Sequence, residues 1–161
     1  MAVGGCFCGR IRIEYSGQPL ASALCHCLDC RKLTGGPYSF NFIVRSAELH
    51  VSGSPKEVPK TSDSGNAIKN YFCPDCGLYY TEIAGRQHHD LTRVIGTPLF
   101  GRKIKPNGDR DETTVVRAGI FDNIGILHER TPVVEIYTEQ RLKWLSPIEG
   151  ADQFTGMLPL P

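Results

Sequence analysis

The sequence predicts a mainly β fold. Short runs that alternate apolar and polar residues recur along it, which is the period of half-buried strands. These runs are broken by turn formers, 17 Gly and 11 Pro among 161 residues, and evidence for helix is thin.

Taken in order, Ile11, Ile13 and Tyr15 share one face of the first candidate strand. Tyr38, Phe40, Phe42 and Val44 do the same after the turn at Gly35-Gly-Pro37, and Leu49 with Val51 follows a short break. Ser52 to Gly65 carries Pro, Ser, Lys and Gly and reads as a surface loop. Ile68 to Phe72 and Leu78 to Ile83 flank a cysteine pair and read as a hairpin with a knuckle at its tip. Leu91 to Ile95, Thr113 to Ala118 and Val133 to Tyr137 supply further strands. Lys105-Pro-Asn-Gly-Asp109 is a turn, since Asn-Gly favours positive φ. Gly96-Thr-Pro98 and Pro132 read as loop formers, and Met157 to Pro161 as an irregular tail. The best helical segment is Glu139 to Leu145, where Leu142 and Leu145 could share a face. Trp144 reads as a packed core or interface residue.

Length and composition narrow the function classes. A chain of 161 residues is expected to form a single domain over 1–161. Hydrophobic residues at 40% and charged residues at 22% are ordinary for a soluble globular protein. A net charge of +1, with no dense Lys/Arg run, gives no footprint for nucleic acid. Met1-Ala-Val-Gly-Gly has neither a charged n-region nor an apolar h-region, and no stretch reaches the length of a membrane span. A cytoplasmic protein with no membrane partner is expected.

The chemistry sits in the cysteines. All seven fall in three clusters: Cys6-Phe-Cys8, Cys25-His-Cys27-Leu-Asp-Cys30 and Cys73-Pro-Asp-Cys76. An odd count with short spacings is a poor disulfide framework, whereas paired thiolates are what zinc sites use. Cys6, Cys8, Cys73 and Cys76 add up to a closed tetrahedral site that would pin the N-terminal strand to the hairpin. Cys25, Cys27 and Cys30 supply three ligands and leave one position open, so two zinc ions are expected. The plainer alternatives are that Cys6 and Cys8 are buried small hydrophobes, and that His88, His89, His128 or an aspartate closes the second tetrahedron.

In an extended Cys-x-Cys the two cysteines share one side, so His26 should face away from a metal held by Cys25 and Cys27. His26 then reads as a supporting or core residue, and Asp29 as a turn residue satisfying backbone amides. Three thiolates leave zinc with a net charge of −1 and make it a weak Lewis acid, better matched to a soft fourth ligand such as a substrate thiol. Thiol activation is the chemistry expected. His26 or Asp29 could move the proton that carbon–sulfur addition or elimination requires, and they are the candidate catalytic residues. Arg31, Lys32 and Arg45 could meet a substrate's carboxylates, although each also reads as solvated surface charge. His88-His89, as strand neighbours, face opposite sides and would not chelate together.

With these clusters in hand, the chain resembles the glutathione-dependent formaldehyde-activating enzyme family, which also includes centromere protein V. The resembling stretches are Gly4-Gly-Cys-Phe-Cys-Gly9, Cys25-His-Cys-Leu-Asp-Cys-Arg-Lys-Leu-Thr-Gly35 and Phe72-Cys-Pro-Asp-Cys-Gly77. Weaker echoes lie at Ala118-Gly-Ile-Phe-Asp122, around Arg141 to Trp144 and at Phe154 to Pro159. The resemblance implies a zinc-containing, mainly β fold of the Mss4-like kind, with Cys6, Cys8, Cys73 and Cys76 on a structural metal and Cys25, Cys27 and Cys30 on the second. It also implies a carbon–sulfur lyase type of activity, joining glutathione and formaldehyde. Two departures bear on the pocket: Leu78 stands where the family more often has a small or hydroxyl residue, and Glu135-Ile136 where a histidine and an apolar residue are common.

The expected function is activation of a thiol, glutathione or a glutathione conjugate, toward formaldehyde or another electrophile. A noncatalytic zinc module for protein interaction, or a glutathione carrier, is the alternative. Oligomeric state is left open by the residues.

Overall fold

The structure, a computed structural model, describes residues 1–62, 65–76 and 98–158. Eleven strands are described: β1 (Ala2–Gly5), β2 (Arg12–Tyr15), β3 (Ala21–Cys25), β4 (Ser39–Arg45), β5 (Leu49–Ser52), β6 (Lys56–Thr61), β7 (Ala67–Phe72), β8 (Pro98–Ile104), β9 (Arg110–Arg117), β10 (Val134–Ile136) and β11 (Asp152–Gln153). Two short helices, α1 (Leu28–Thr34) and α2 (Gly125–Glu129), complete the regular structure together with three 3₁₀ turns. The fold is mainly β, as the alternating runs require. No helix among the described residues is long and apolar enough to cross a membrane.

Two sheets form. The smaller has the order β1-β2-β5, and the larger runs β11-β10-β3-β4-β9-β8-β7-β6. All pairings in the larger sheet are antiparallel except those of β10 with β3 and β11. The main core gathers Ile11 just before β2, Ile13, Tyr15 and Leu49 from the small sheet and Phe42, Val44, Tyr71, Phe100 and Val116 from the large one. Tyr15, Phe42, Ile11 and Ile13 are almost wholly buried, and each such side chain stabilises the fold by about 1.5–3 kcal/mol.

Register divides the large sheet into two chemical faces. Phe42 pairs with Val116 and Val116 with Phe100, and this face meets the small sheet. Cys25 pairs with Ser39, and Ala23 with Asn41, which in turn pairs with Arg117. Directly opposed residues project to the same side, so cysteine and polar residues share the face that turns away from the main core.

Gly4 is fixed by close approach. It bridges to Phe121, and a Cβ there would stand 2.2 Å from the Ile120 carbonyl oxygen. Chain entry into β1 is thereby locked against the 3₁₀ turn Ala118–Ile120.

Several sequence expectations are corrected. Ser52 to Gly65 is not a plain loop, because Lys56–Thr61 forms edge strand β6 paired with β7. Every residue of β6 is exposed and Pro59 lies within it, so neither the apolar alternation nor the proline filter could reveal it; edge strands tolerate both. Glu139 to Leu145 is not helical: a 3₁₀ turn covers Thr138–Gln140, and Arg141 is drawn into a buried ion pair instead of continuing a helix. Pro98 opens β8 as its first residue and is no mere loop former. Trp144 is 72% exposed and outside the core. β1, β3, β8, β11, α1 and α2 are additions, none longer than 7 residues.

Other expectations hold. The turn at Lys105 to Asp109 joins β8 to β9, with Gly108 at φ 87°. Expectations at Leu78 to Ile83, Leu91 to Ile95, His88, His89 and Gly96-Thr97 lie outside the described residues.

Candidate metal and thiol site

The first cysteine group is assembled from two places. Cys6 and Cys8 lie in the turn that follows β1, and Cys73 and Cys76 in the turn that follows β7. Their four sulfurs lie within 4.8 Å of one another, with Cys6–Cys8 at 3.5 Å and Cys8–Cys73 at 3.7 Å. A disulfide would need about 2.0 Å. Sulfurs at 2.3 Å from a tetrahedral zinc lie about 3.8 Å apart, so this donor set fits a closed tetrahedron. Backbone N–H groups of Ile11 and Asp75 donate to Cys6 and Cys73 at 3.3 and 3.4 Å, which offsets part of the thiolate charge. Burial pushes the Cys73 thiol up to about 12 against the Asp75 and Cys76 amides, an opposition that a bound cation would remove.

The second group forms where β3 runs into α1. Cys25 ends the strand, Cys27 is the N-cap in extended conformation, and Cys30 lies in the helix's first turn. The cap is made by sulfur: the Cys30 N–H donates to Cys27 Sγ at 3.4 Å. Gly35 closes α1 at φ 68°, a left-handed C-cap that only glycine adopts freely. This one short helix brings three sulfurs within 4.8 Å of one another. No fourth His, Cys, Asp or Glu ligand atom joins them among the described residues. Cys25 and Cys27 donate to Cys30 and hold its thiol well down, outweighing burial, with Arg117 and Ser39 adding to the effect. Cys25 is correspondingly pushed far up. Three sulfurs share protons that a metal would displace.

His26 does what strand alternation requires. It leaves the cysteine side, is 1% exposed, and faces Glu135 Oε2 through Nε2 at 2.9 Å. A carboxylate only accepts, so Nε2 donates. Tyr38 packs edge-on against the ring at 5.8 Å between centroids. Nδ1 is buried with no hydrogen-bond partner among the described residues. Asp29 lies in the first turn of α1, where its charge favours the helix dipole, and is ion-paired with Lys60 of β6.

Glu135 is the residue that sequence reasoning noticed only as a departure. It is fully buried in β10. Besides His26 it accepts from the Ile148 N–H, from Gln153 Nε2 at 3.2 Å and from Arg141 Nη1 at 3.1 Å. Burial opposes its ionisation, yet the Ile148 amide, His26, Gln153 and Arg141 together hold the carboxyl down at about 2. The signal available in the sequence was a charge at the centre of an apolar three-residue strand, Val134-Glu135-Ile136.

This network ties the C-terminal segment to the cysteine trio. Ile136 pairs with Cys25, and Val134, Tyr137 and Phe154 pack against the cluster formed by Cys25, Cys27 and Ile136. Tyr137 has φ 57°, a strained left-handed conformation for a non-glycine residue. Its N–H donates to Gly156 and that of Thr138 to Phe154, both at 3.0 Å, which holds the strain beside the thiols. Of the suspected cations, Arg31 is half-buried while Lys32 and Arg45 are exposed. Arg117, which the sequence did not single out, is buried on the cysteine face.

A mainly β fold with one four-thiol and one three-thiol group, each close enough to share a metal ion, defines a class of proteins built around clustered cysteines. The family described as glutathione-dependent formaldehyde-activating enzyme matches residues 1–106, and the chain belongs to that family. No curated protein matches the chain.

Proposed function

We propose that this protein is a carbon–sulfur lyase-type enzyme, in which the Cys25, Cys27 and Cys30 site activates a thiol for reaction with an electrophile. Glutathione or a glutathione conjugate is the thiol, and formaldehyde or another electrophile its partner. The observation that supports this best is the convergence of three sulfurs with no fourth described ligand, the arrangement expected where substrate completes the coordination. Membership of the formaldehyde-activating family agrees with it.

Cys6, Cys8, Cys73 and Cys76 would hold a structural zinc, and Cys25, Cys27 and Cys30 a second one. Zinc bound at the trio would supply a soft Lewis acid that keeps an added thiol ionised at neutral pH. The protein's own residues set the rest. Val134, Ile136, Tyr137 and Phe154 form an apolar wall that excludes water from the sulfurs. Glu135 fixes the His26 ring and so the backbone between Cys25 and Cys27. In the forward reaction the thiol gives up its proton, its sulfur bonds to the carbonyl carbon, and the carbonyl oxygen takes a proton. Atoms balance without an oxidant. His26, whose Nδ1 has no hydrogen-bond partner among the described residues, and Asp29, at the first turn of α1, are the proposed proton carriers.

A single domain over 1–161 and residence in the reducing cytoplasm, where thiols stay available to metal, complete the reading. The test is exchange spectroscopy on glutathione and formaldehyde with the zinc-loaded protein. Faster exchange that vanishes in Cys27→Ser supports the enzyme. No acceleration, with conjugates also inert, leaves a noncatalytic zinc module or a glutathione carrier.

A further inference from the structure

Polar side chains are buried on the sheet face that carries Cys25. Ser39 and Asn41 come from β4, Arg117 from β9 and Asn70 from β7, all 9% exposed or less. Cys25 pairs with Ser39, and Asn41, two residues further on, pairs with Arg117. Asn70 reaches the same face through the row Ile43, Val115 and Gly101.

Arg117 donates from Nη1 to Asn41 Oδ1, and Asn41 is braced in turn by its Nδ2 donating to Ser39 Oγ at 2.8 Å. Among the described residues no carboxylate faces this guanidinium. A buried cation without an anionic partner is costly. Asn41 occupies one arm of the planar fork and leaves Nε and the other Nη for an acceptor, the geometry that takes a carboxylate by two parallel bonds. Proximity to the thiols follows from register, since Ser39 lies opposite Cys25 and is linked through Asn41 to Arg117.

Offsetting the negative charge of a loaded trio would need Arg117 alone. The polar lining continues beyond it, however. Asn70, 7% exposed, has no hydrogen-bond partner for its side chain among the described residues. Gly101 opposite leaves room for it, since a Cβ there would stand 3.0 Å from Asn70 Oδ1. An amide three strands from β4 does nothing for a metal, whereas a ligand running out from the trio across the sheet would meet Arg117 first and Asn70 next.

We propose that Arg117, oriented by Asn41, binds a carboxylate of the thiol substrate and restricts the site to anionic thiols. This rests on the thiol-binding reading above. Calorimetric titration of the zinc-loaded full chain with mercaptopropionate and with its methyl ester tests it, because the ester keeps the thiol and the carbon chain but caps the carboxylate and removes its charge. The acid is expected to bind about tenfold or more tightly than the ester. Arg117→Gln should weaken the acid by about tenfold to a hundredfold and leave the ester and the zinc content unchanged, with Arg117→Lys recovering part of the loss. Propionate should compete with the acid on the wild-type protein, a measurement that needs no variant. Equal affinity for acid and ester, or an Arg117→Gln loss shared equally by both, overturns the assignment. Binding of neither thiol to the wild-type protein overturns the thiol reading and this assignment with it.

Discussion

Removal of the Glu135 carboxylate is the sharpest test of how the fold holds the trio. Two oxygens receive four donors, from His26, Ile148, Gln153 and Arg141, at a site with no exposure. Glu135→Ala strips every one of them and leaves the Arg141 charge without its buried partner. Breaking such a pair costs about 3–5 kcal/mol, and at this size 1 kcal/mol shifts Tm by about 2–4 °C, so a drop on the order of 10 °C is expected. Glu135→Gln keeps an acceptor for the Ile148 amide and should cost roughly half as much. Thermal and urea unfolding of the zinc-loaded proteins measure both. A double-mutant cycle with His26→Ala should then return a coupling of about 1–3 kcal/mol between the two residues. Loss of less than about 1 kcal/mol for Glu135→Ala, or additivity in the cycle, refutes the reasoning.

The same carboxylate predicts a pH dependence. Its folded pKa lies at about 2, below the ordinary glutamate value, so its contribution is complete above the unfolded pKa of about 4.3 and is lost as pH falls toward 2. The stability gap between wild type and Glu135→Gln should therefore be flat above that range and close within it; acid shedding of zinc is common to both proteins. Cys27→Ser should lower zinc from two ions per chain to one with the fold intact, while Cys73→Ser should lose the closed site and with it most of the stability; atomic absorption and circular dichroism read both. Gly4→Ala forces a methyl onto the Ile120 carbonyl, and a cost of about 1–3 kcal/mol should appear as a lower urea midpoint. Lys60→Ala removes a partly exposed ion pair with Asp29 and should change stability by less than about 1 kcal/mol.

Residues whose identity encodes their partner were legible. Cysteine spacing alone assigned Cys6, Cys8, Cys73 and Cys76 to one group and Cys25, Cys27 and Cys30 to another, and both groups assemble. Strand alternation placed His26 opposite the cysteines, where it meets Glu135. Long-range context hid the rest. β6 has no buried residue to betray it, since its stability comes from pairing with β7. α1 has too few residues for a period and is capped by a thiol in place of the usual Ser, Thr or Asp. Arg141 seemed part of a helix because nothing local says that Glu135, six residues earlier, will claim its guanidinium. Arg117 was not singled out in the sequence, because only register sets it beside Asn41 on the cysteine face.

An outside thiol taking the remaining position at the trio is the central claim, and cobalt substitution tests it most directly. Zinc is replaced by cobalt, glutathione is titrated in, and the thiolate-to-cobalt charge-transfer absorption is recorded. The account predicts a rise that saturates at one thiol per chain and is absent from Cys27→Ser. A spectrum unchanged by glutathione, at a cobalt ion already carrying four ligands from the protein, would contradict it.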